Sequence, residues 1–232
     1  AFSLPADKVS MEQRAAEAFF AALGVPVPPL TVRLEKNIPA FAGLGGGSAD
    51  VAALLRCLRR LYAAGMPDEA LRAIGLTVGS DVPFCVSGGT SLAEGRGERL
   101  TDLPPLPVCQ IVLCKPDFGI STPELFVLAD GAVLSKRPDI ASLTAALQGG
   151  ELTGVTDRLC NVFEEFLPER YREVFRIKEI LLAHGALNAA MSGSGPTVYG
   201  IFESAAEAQR AAEVMKKSYQ QTYVAKPVKK LV

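Results

Sequence analysis

Pro39-Ala-Phe-Ala-Gly43-Leu44-Gly45-Gly46-Gly47-Ser48-Ala49-Asp50 carries four glycines and a serine straight into a helical pattern. Glycine allows tight backbone turns and leaves no Cβ between the amides and a ligand, so several N–H groups can converge on one oxyanion. The helix that follows, with Val51, Leu54, Leu55, Leu58, Leu61 and Tyr62 on one face, adds unsatisfied N-terminal amides and the positive end of its dipole. A plain turn needs one or two glycines. Three in succession, each costing roughly 0.5–1 kcal/mol relative to alanine, point to a phosphate site. The run is neither a P-loop, since no Gly-Lys precedes Ser48, nor the G-x-G-x-x-G dinucleotide fingerprint. The phosphate charge must therefore be met by amides, a metal and residues from elsewhere in the chain.

Upstream, Ser10 with Gln13 reads as a capping box ahead of an apolar stripe at Met11, Ala15, Phe19, Ala22 and Leu23, ending at Gly24. Leu30 to Glu35 alternates as a strand leading to the glycine run. Downstream, a helix follows Pro67. Ser91-Leu-Ala and Glu98-Arg-Leu form two arms around Glu94-Gly95-Arg96-Gly97, and Leu103-Pro-Pro-Leu-Pro107 reads as a linker. The pattern then restarts, with strands at 110–114, 186–191, 197–202 and 222–228 and helices at 168–184 and after Ser204. That order predicts an antiparallel sheet backed by helices, of the split β-α-β kind, and two domains with a ligand-binding cleft between them.

Two more segments carry chemistry. Gly79-Ser80-Asp81-Val82-Pro83-Phe84 sets one carboxylate in an apolar turn, where the residues alone favour an Asp side chain bonding its own backbone. Met191-Ser192-Gly193-Ser194-Gly195-Pro196-Thr197 lies between two strands, as a hairpin or as a second anion-facing loop.

The chain has 232 residues, 24 Lys+Arg against 25 Asp+Glu, and a formal net charge of −1, which removes a general electrostatic case for nucleic acid. Lys226, Lys229 and Lys230 read as a solvated basic end. There is no apolar run of membrane-spanning length and no secretory h-region. Five cysteines without C-x-x-C spacing read as reduced, mostly buried thiols of a cytoplasmic protein. His184, the single histidine, stands before Gly185 at a helix end and reads as a cap.

Together these segments resemble the GHMP kinase superfamily, and within it the 4-diphosphocytidyl-2-C-methyl-D-erythritol kinases. The resemblance is carried by Lys36-Asn-Ile-Pro39 through Asp50, by Gly79 to Phe84, by Gly89-Thr-Ser-Leu-Ala-Glu94-Gly-Arg-Gly97-Glu98, by Lys115-Pro-Asp-Phe-Gly-Ile-Ser-Thr-Pro123, and by Met191 to Val198. It implies an α+β, two-domain GHMP kinase fold, with a ribosomal protein S5 domain 2-like N-terminal domain over 1–105 and a ferredoxin-like C-terminal domain over 106–232. It also implies ATP and Mg²⁺, and transfer of phosphate to the 2-hydroxyl of a cytidine-diphosphate-linked methylerythritol. In that reading Pro39, Gly43, Leu44, Gly45, Gly46, Gly47, Ser48 and Ala49 hold the ATP phosphates, with Ser48 near the metal. Asp81 takes or orients the substrate hydroxyl proton. Ser121, Thr122 and Phe126 stand at the cytidine end, where a flat ring can stack on the base. Gly193, Ser194, Gly195 and Thr197 face the substrate phosphates or the loop opposite.

The chain departs from the family at Ser10, where an asparagine is usual, and at Ala49, where a second serine is usual. No segment matches the family's Lys-Ile-Asn-Leu opening strand or its Asp-Gly-Tyr-His segment, nor the lysine and tyrosine they contribute. The expectation is a 232-residue chain with an unpaired sheet edge, weak nucleotide binding and slow turnover. Two other readings stand beside this one: a GHMP kinase acting on homoserine or mevalonate, and a non-catalytic nucleotide-binding remnant. The sequence leaves the oligomeric state open.

Overall fold

The structure is a computed structural model that describes residues 9–131, 134–135 and 137–228. The expected basic end at Lys229 and Lys230 lies outside those residues. Two compact units are present: 9–37 with Gly45–Asp102, and Ile38–Leu44 with Leu103–Val228.

In the first unit, α1 (Met11–Ala22) begins at Ser10, whose side chain accepts from the Gln13 amide at 3.0 Å. The capping box is half made, because the Gln13 side chain turns to Glu17 instead. The expected stripe holds at Ala15 and Phe19, which are fully buried, and at Met11 and Leu23, which pack against the same core half-buried; Ala16 and Phe20 widen the buried face, and Ala22 is exposed. α2 (Gly46–Tyr62) buries Val51, Ala52, Leu55 and Leu58. Leu61 and Tyr62, expected on that face, are exposed, with Tyr62 standing edge-on to Phe20 at 5.0 Å. α3 (Asp68–Val78) and α4 (Val82–Ser87) complete the helical layer, whose core includes Phe19, Leu55, Leu71 and Val82. β1 (Thr90–Glu94) and β2 (Arg99–Leu103) form the expected hairpin.

The segment Leu30 to Glu35 is a correction. It forms no ladder among the described residues, and Val32 and Leu34 are exposed. Alternation of apolar side chains specifies an extended chain, but a strand also needs a partner for its backbone groups.

The second unit contains β3 (Gln110–Lys115), α5 (Thr122–Asp130), α6 (Ile140–Gln148), α7 (Leu152–Thr156), α8 (Glu173–Ala183), β4 (Asn188–Met191), β5 (Val198–Phe202), α9 (Ala205–Lys216) and β6 (Gln221–Ala225). The antiparallel sheet runs β4-β5-β3-β6, with Val112 opposite Gly200 on one side and Val224 on the other. With α8 before β4 and α9 before β6, this is the β-α-β-β-α-β arrangement expected of a ferredoxin-like layer. Val112, Cys114, Ile177, Leu181, Phe202 and Ala211 build its core. α8 ends in a Schellman motif, with Gly185 at φ +96 and its N–H on Leu182 O, and the Ala186 N–H on Leu181 O. His184 caps through its backbone N–H. Leu103 and Leu106 of the proline-rich connector pack against Ala146, Leu147 and Val155.

The five cysteines are free; Cys57 is exposed on α2 against the expectation of burial, and Cys160 is exposed as well. Among the described residues no helix is long and apolar enough to cross a membrane.

Candidate active site

The positive φ values of the glycine run sit at Gly43 (+70), in the second unit, and Gly45 (+65), which opens the second segment of the first unit, where the helix starts at once with Gly46. Gly46, Gly47 and Ser48 are therefore the first turn of α2 and not a loop ahead of it. The first intrahelical bond is Ala49 N–H to Gly45 O at 2.9 Å, and helix geometry leaves the amides of residues 46–48 without an intrahelical acceptor. No side chain caps this end, and no acidic residue stands in its first turn. The open amides and dipole of a 17-residue helix thus present a positive N-terminus of the kind that binds phosphate.

Lys36 reaches Asp50 on α2 at 2.7 Å and Glu12 on α1 at 3.2 Å. The hydrogen bond to Asp50, against the opposing effect of burial and with help from Glu12, raises the Lys36 ammonium above its usual range. Burial pushes the Glu12 carboxyl up, but its backbone hydrogen bond and Lys36 more than offset this and hold it low. Lys36 was not singled out from the sequence as a site residue. Its single positive charge offsets part of the charge of two carboxylates close to the start of α2, which repel a phosphate.

Asp81 stands at the start of α4, exposed, and makes no capping hydrogen bond. The turn role that the residues alone favoured is absent, and the carboxylate is left for other work. Two contacts position the segment around Asp81, one toward the first turn of α2 and one toward the β1–β2 hairpin tip. The Met11 side chain lies 3.5 Å from where a Cβ on Gly47 would stand and 3.4 Å from where one on Gly79 would stand, so one thioether fills the space between both segments. On the other side, Gly97 at φ +105 brings the hairpin tip within 2.9 Å of Ser80 O by the same measure. The tip is held by Glu98, which accepts from the Arg96 amide at 2.6 Å. In α4, burial first and the Asp81 charge second push the Cys85 thiol up.

In the second unit, a concavity of about 370 Å³ is lined by Phe41, Gly43, residues 119–123, Ser194 and Gly195. This is within the size range of small-ligand pockets. Ser121 and Thr122 are exposed at the start of α5, and Thr122 Oγ1 meets Ser194 Oγ at 2.7 Å. Two glycine segments touch here backbone to backbone: a Cβ on Gly43 would collide with Ser192 O and stand 2.8 Å from Gly195 N. Ser192 Oγ donates to Gly43 O at 2.8 Å, and the Thr197 N–H donates to Ala42 O at 3.3 Å.

Phe126 does not line the concavity. It is 56% exposed on α5 with Phe163 edge-on at 5.3 Å, which leaves ring surface open for stacking. Gly193 is exposed, while Thr197 is fully buried with its hydroxyl unpartnered. Contact with a ligand through that hydroxyl would require the loop to open. Leu44 and Pro39 are half-buried.

Three residues of this unit escaped the sequence reading. Phe41 holds a left-handed backbone at φ +51 while 70% exposed, an uncommon state for a bulky residue. Its only signal was an aromatic within the glycine run. Lys115 is buried, and its ammonium donates to Pro116 O at 3.0 Å and Phe118 O at 3.1 Å, shaping the segment that leads to Gly119. Asn161 holds the loop at 191–193 from outside.

The GHMP kinases N terminal domain matches residues 11–89, and the GHMP kinases C terminal domain matches residues 139–221. This chain belongs to the GHMP kinase family. The GHMP kinase described here is 36% identical over 226 residues to a 4-diphosphocytidyl-2-C-methyl-D-erythritol kinase of Clostridium acetobutylicum, covering 97% of this chain and 80% of the relative. It is 38% identical over 225 residues to the enzyme of that name from Levilactobacillus brevis, covering 97% and 78%. Among solved structures, a 4-(cytidine 5'-diphospho)-2C-methyl-D-erythritol kinase superposes with a TM-score of 0.77 at 31% identity, over 97% of this chain and 81% of that one. A homoserine kinase from Cytophaga hutchinsonii shares the fold, with a TM-score of 0.73 at 19% identity over 98% and 78%.

Proposed function

We propose that this GHMP kinase transfers the γ-phosphoryl group of ATP to the 2-hydroxyl of 4-diphosphocytidyl-2-C-methyl-D-erythritol, a step of isoprenoid precursor biosynthesis in the cytoplasm. The similarity to kinases of that substrate over 97% of the chain is the observation that carries this reading. In the domain division that goes with it, 1–105 is the ATP-binding domain and 106–232 the C-terminal domain.

Phosphoryl transfer needs little covalent chemistry from the protein and depends on positioning and charge stabilisation. The amides of Gly45 to Ser48 would hold the ATP phosphates, with Pro39, Gly43, Leu44 and Ala49 shaping the approach. Among the described residues there is no cluster of three His, Cys, Asp or Glu that could hold a metal alone. Mg²⁺ is usually held by substrate phosphates and one or two protein oxygens, and here Ser48 Oγ would serve. When bound, the ion would neutralise charge on the phosphates. Asp81, exposed and free of capping bonds, would accept or orient the proton of the attacking hydroxyl. Ser121, Thr122, Gly193, Ser194, Gly195 and Thr197 would shape the site for the cytidine diphosphate part, and Phe126 would stack on the base.

Phe126→Ala tests the cytidine assignment. Base stacking on an aromatic is worth about 1–3 kcal/mol, so titration calorimetry with cytidine diphosphate should show affinity lowered roughly 5- to 150-fold, with ATP affinity unchanged. Equal cytidine diphosphate affinity in the two proteins would contradict the assignment.

A further inference from the structure

We infer that Asn161 is a positioning residue of this kinase. Its carboxamide holds the 191–195 loop in the shape that forms one wall of the concavity, and so sets affinity for the cytidylyl substrate. This rests on the functional reading above.

Both Nδ2 donations go to the loop, at 2.7 Å to Met191 O and 2.8 Å to Gly193 O. Oδ1 faces the other way and accepts from the Phe163 amide at 3.0 Å. Three residues on, Glu164 Oε1 accepts from the Met191 amide at 2.6 Å, while its other oxygen is paired with Lys178. The segment Asn161-Val-Phe-Glu164 thus pins residues 191–193 by three hydrogen bonds from side chains some 30 positions earlier. The pinned residues include Gly193 at φ +53, and the loop continues to Gly195 at φ +73. Glycine makes such a loop cheap to bend, so its shape depends on outside bonds. Its own internal bonds are Ser192 N–H to Thr197 O and Gly195 N–H to Ser192 O, each at 2.8 Å. Ser194 and Gly195 then face the concavity.

The chemistry of the clamp demands an amide. Two carbonyl oxygens need two donors. An aspartate at 161 would keep the shape but set an oxygen against those carbonyls.

The test compares wild type with Asn161→Asp, and with Asn161→Ser, which removes the amide without adding charge, should the first fail to fold. In steady-state kinetics we expect KM for the cytidylyl alcohol to rise at least tenfold, with KM for ATP and kcat within threefold. In amide exchange we expect Ser192 and Gly195 to exchange at least tenfold faster, with Val112 and Phe202 unchanged. A residue of purely structural worth would lower the active fraction without splitting the two KM values. Two results would overturn the inference: KM values that move together or not at all, or unchanged exchange at Ser192 and Gly195. If wild type leaves the cytidylyl alcohol unphosphorylated, the functional reading falls on that control, and the exchange measurement alone decides the clamp.

Discussion

Asp81→Asn is expected to lower kcat by about 10²–10⁴-fold, the range contributed by a general base, while ATP affinity stays within threefold of wild type. The substitution is nearly isosteric, and Asp81 makes no capping hydrogen bond that its loss would break. Its exposure means that no buried charge is removed. Melting temperature should therefore be unchanged, which separates a catalytic loss from a folding loss. Stopped or continuous assays under saturating ATP, beside calorimetry with ATP, provide both numbers. A kcat within a few-fold of wild type would remove Asp81 from the phosphoryl-transfer machinery.

Gly43→Ala is expected to have the second large effect, by a different route. Gly43 at φ +70 holds a backbone state that costs an L-residue roughly 1–2 kcal/mol. The added methyl also collides with Ser192 O and crowds Gly195 N and O at 2.8 and 2.9 Å, and overpacking of this kind costs typically 1–3 kcal/mol more. The two glycine segments must move apart, taking Ser194 and Gly195 with them. We expect a stability loss of about 2–5 kcal/mol and a fall in kcat/KM of more than tenfold in the protein that remains folded. Gly150→Ala is the control, since Gly150 has φ +71 but nothing within 4 Å of the new methyl. It should lose only the backbone part. Equal melting temperatures for the two variants would show that the segment contact has no energetic weight.

The fold was legible where one residue pattern answered to one cause. Gln110 to Lys115 reads as a strand because its residues are buried or half-buried in alternation, and it lies inside the sheet between β5 and β6. Ser10 and Ser204 announce helices because their hydroxyls cap them. The sequence was silent on α5, α6 and α7. In α5 the apolar residues Leu125 to Leu128 are consecutive rather than helically spaced, and Leu125 alone is buried. Leu30 to Glu35 misled in the opposite direction, since its alternation is real but no ladder forms among the described residues.

The candidate site divides in the same way. The glycine segments and Asp81 stand out because they break ordinary composition: three glycines in a row, or a carboxylate in an apolar turn. Asn161, Lys115 and Lys36 do not. An asparagine or a lysine has no local pattern that reveals a partner across the fold, and Asn161 finds Met191 and Gly193 at a separation of 30 and 32 residues. The left-handed state of Phe41 is equally hidden, because a bulky residue rarely adopts it. The burial of Thr197 is a property of the surrounding packing rather than of the Gly-Pro-Thr that precedes β5.

The most direct measurement offers the protein ATP and Mg²⁺ with 4-diphosphocytidyl-2-C-methyl-D-erythritol, homoserine and mevalonate in parallel, following ADP release and the new phosphate ester by phosphorus NMR. The account predicts one new phosphate monoester, on the 2-hydroxyl of the cytidylyl alcohol, with kcat/KM at least a hundredfold above either other alcohol. Phosphorylation of homoserine or mevalonate in preference to the cytidylyl alcohol, or ADP release that none of the three alcohols stimulates, would contradict it.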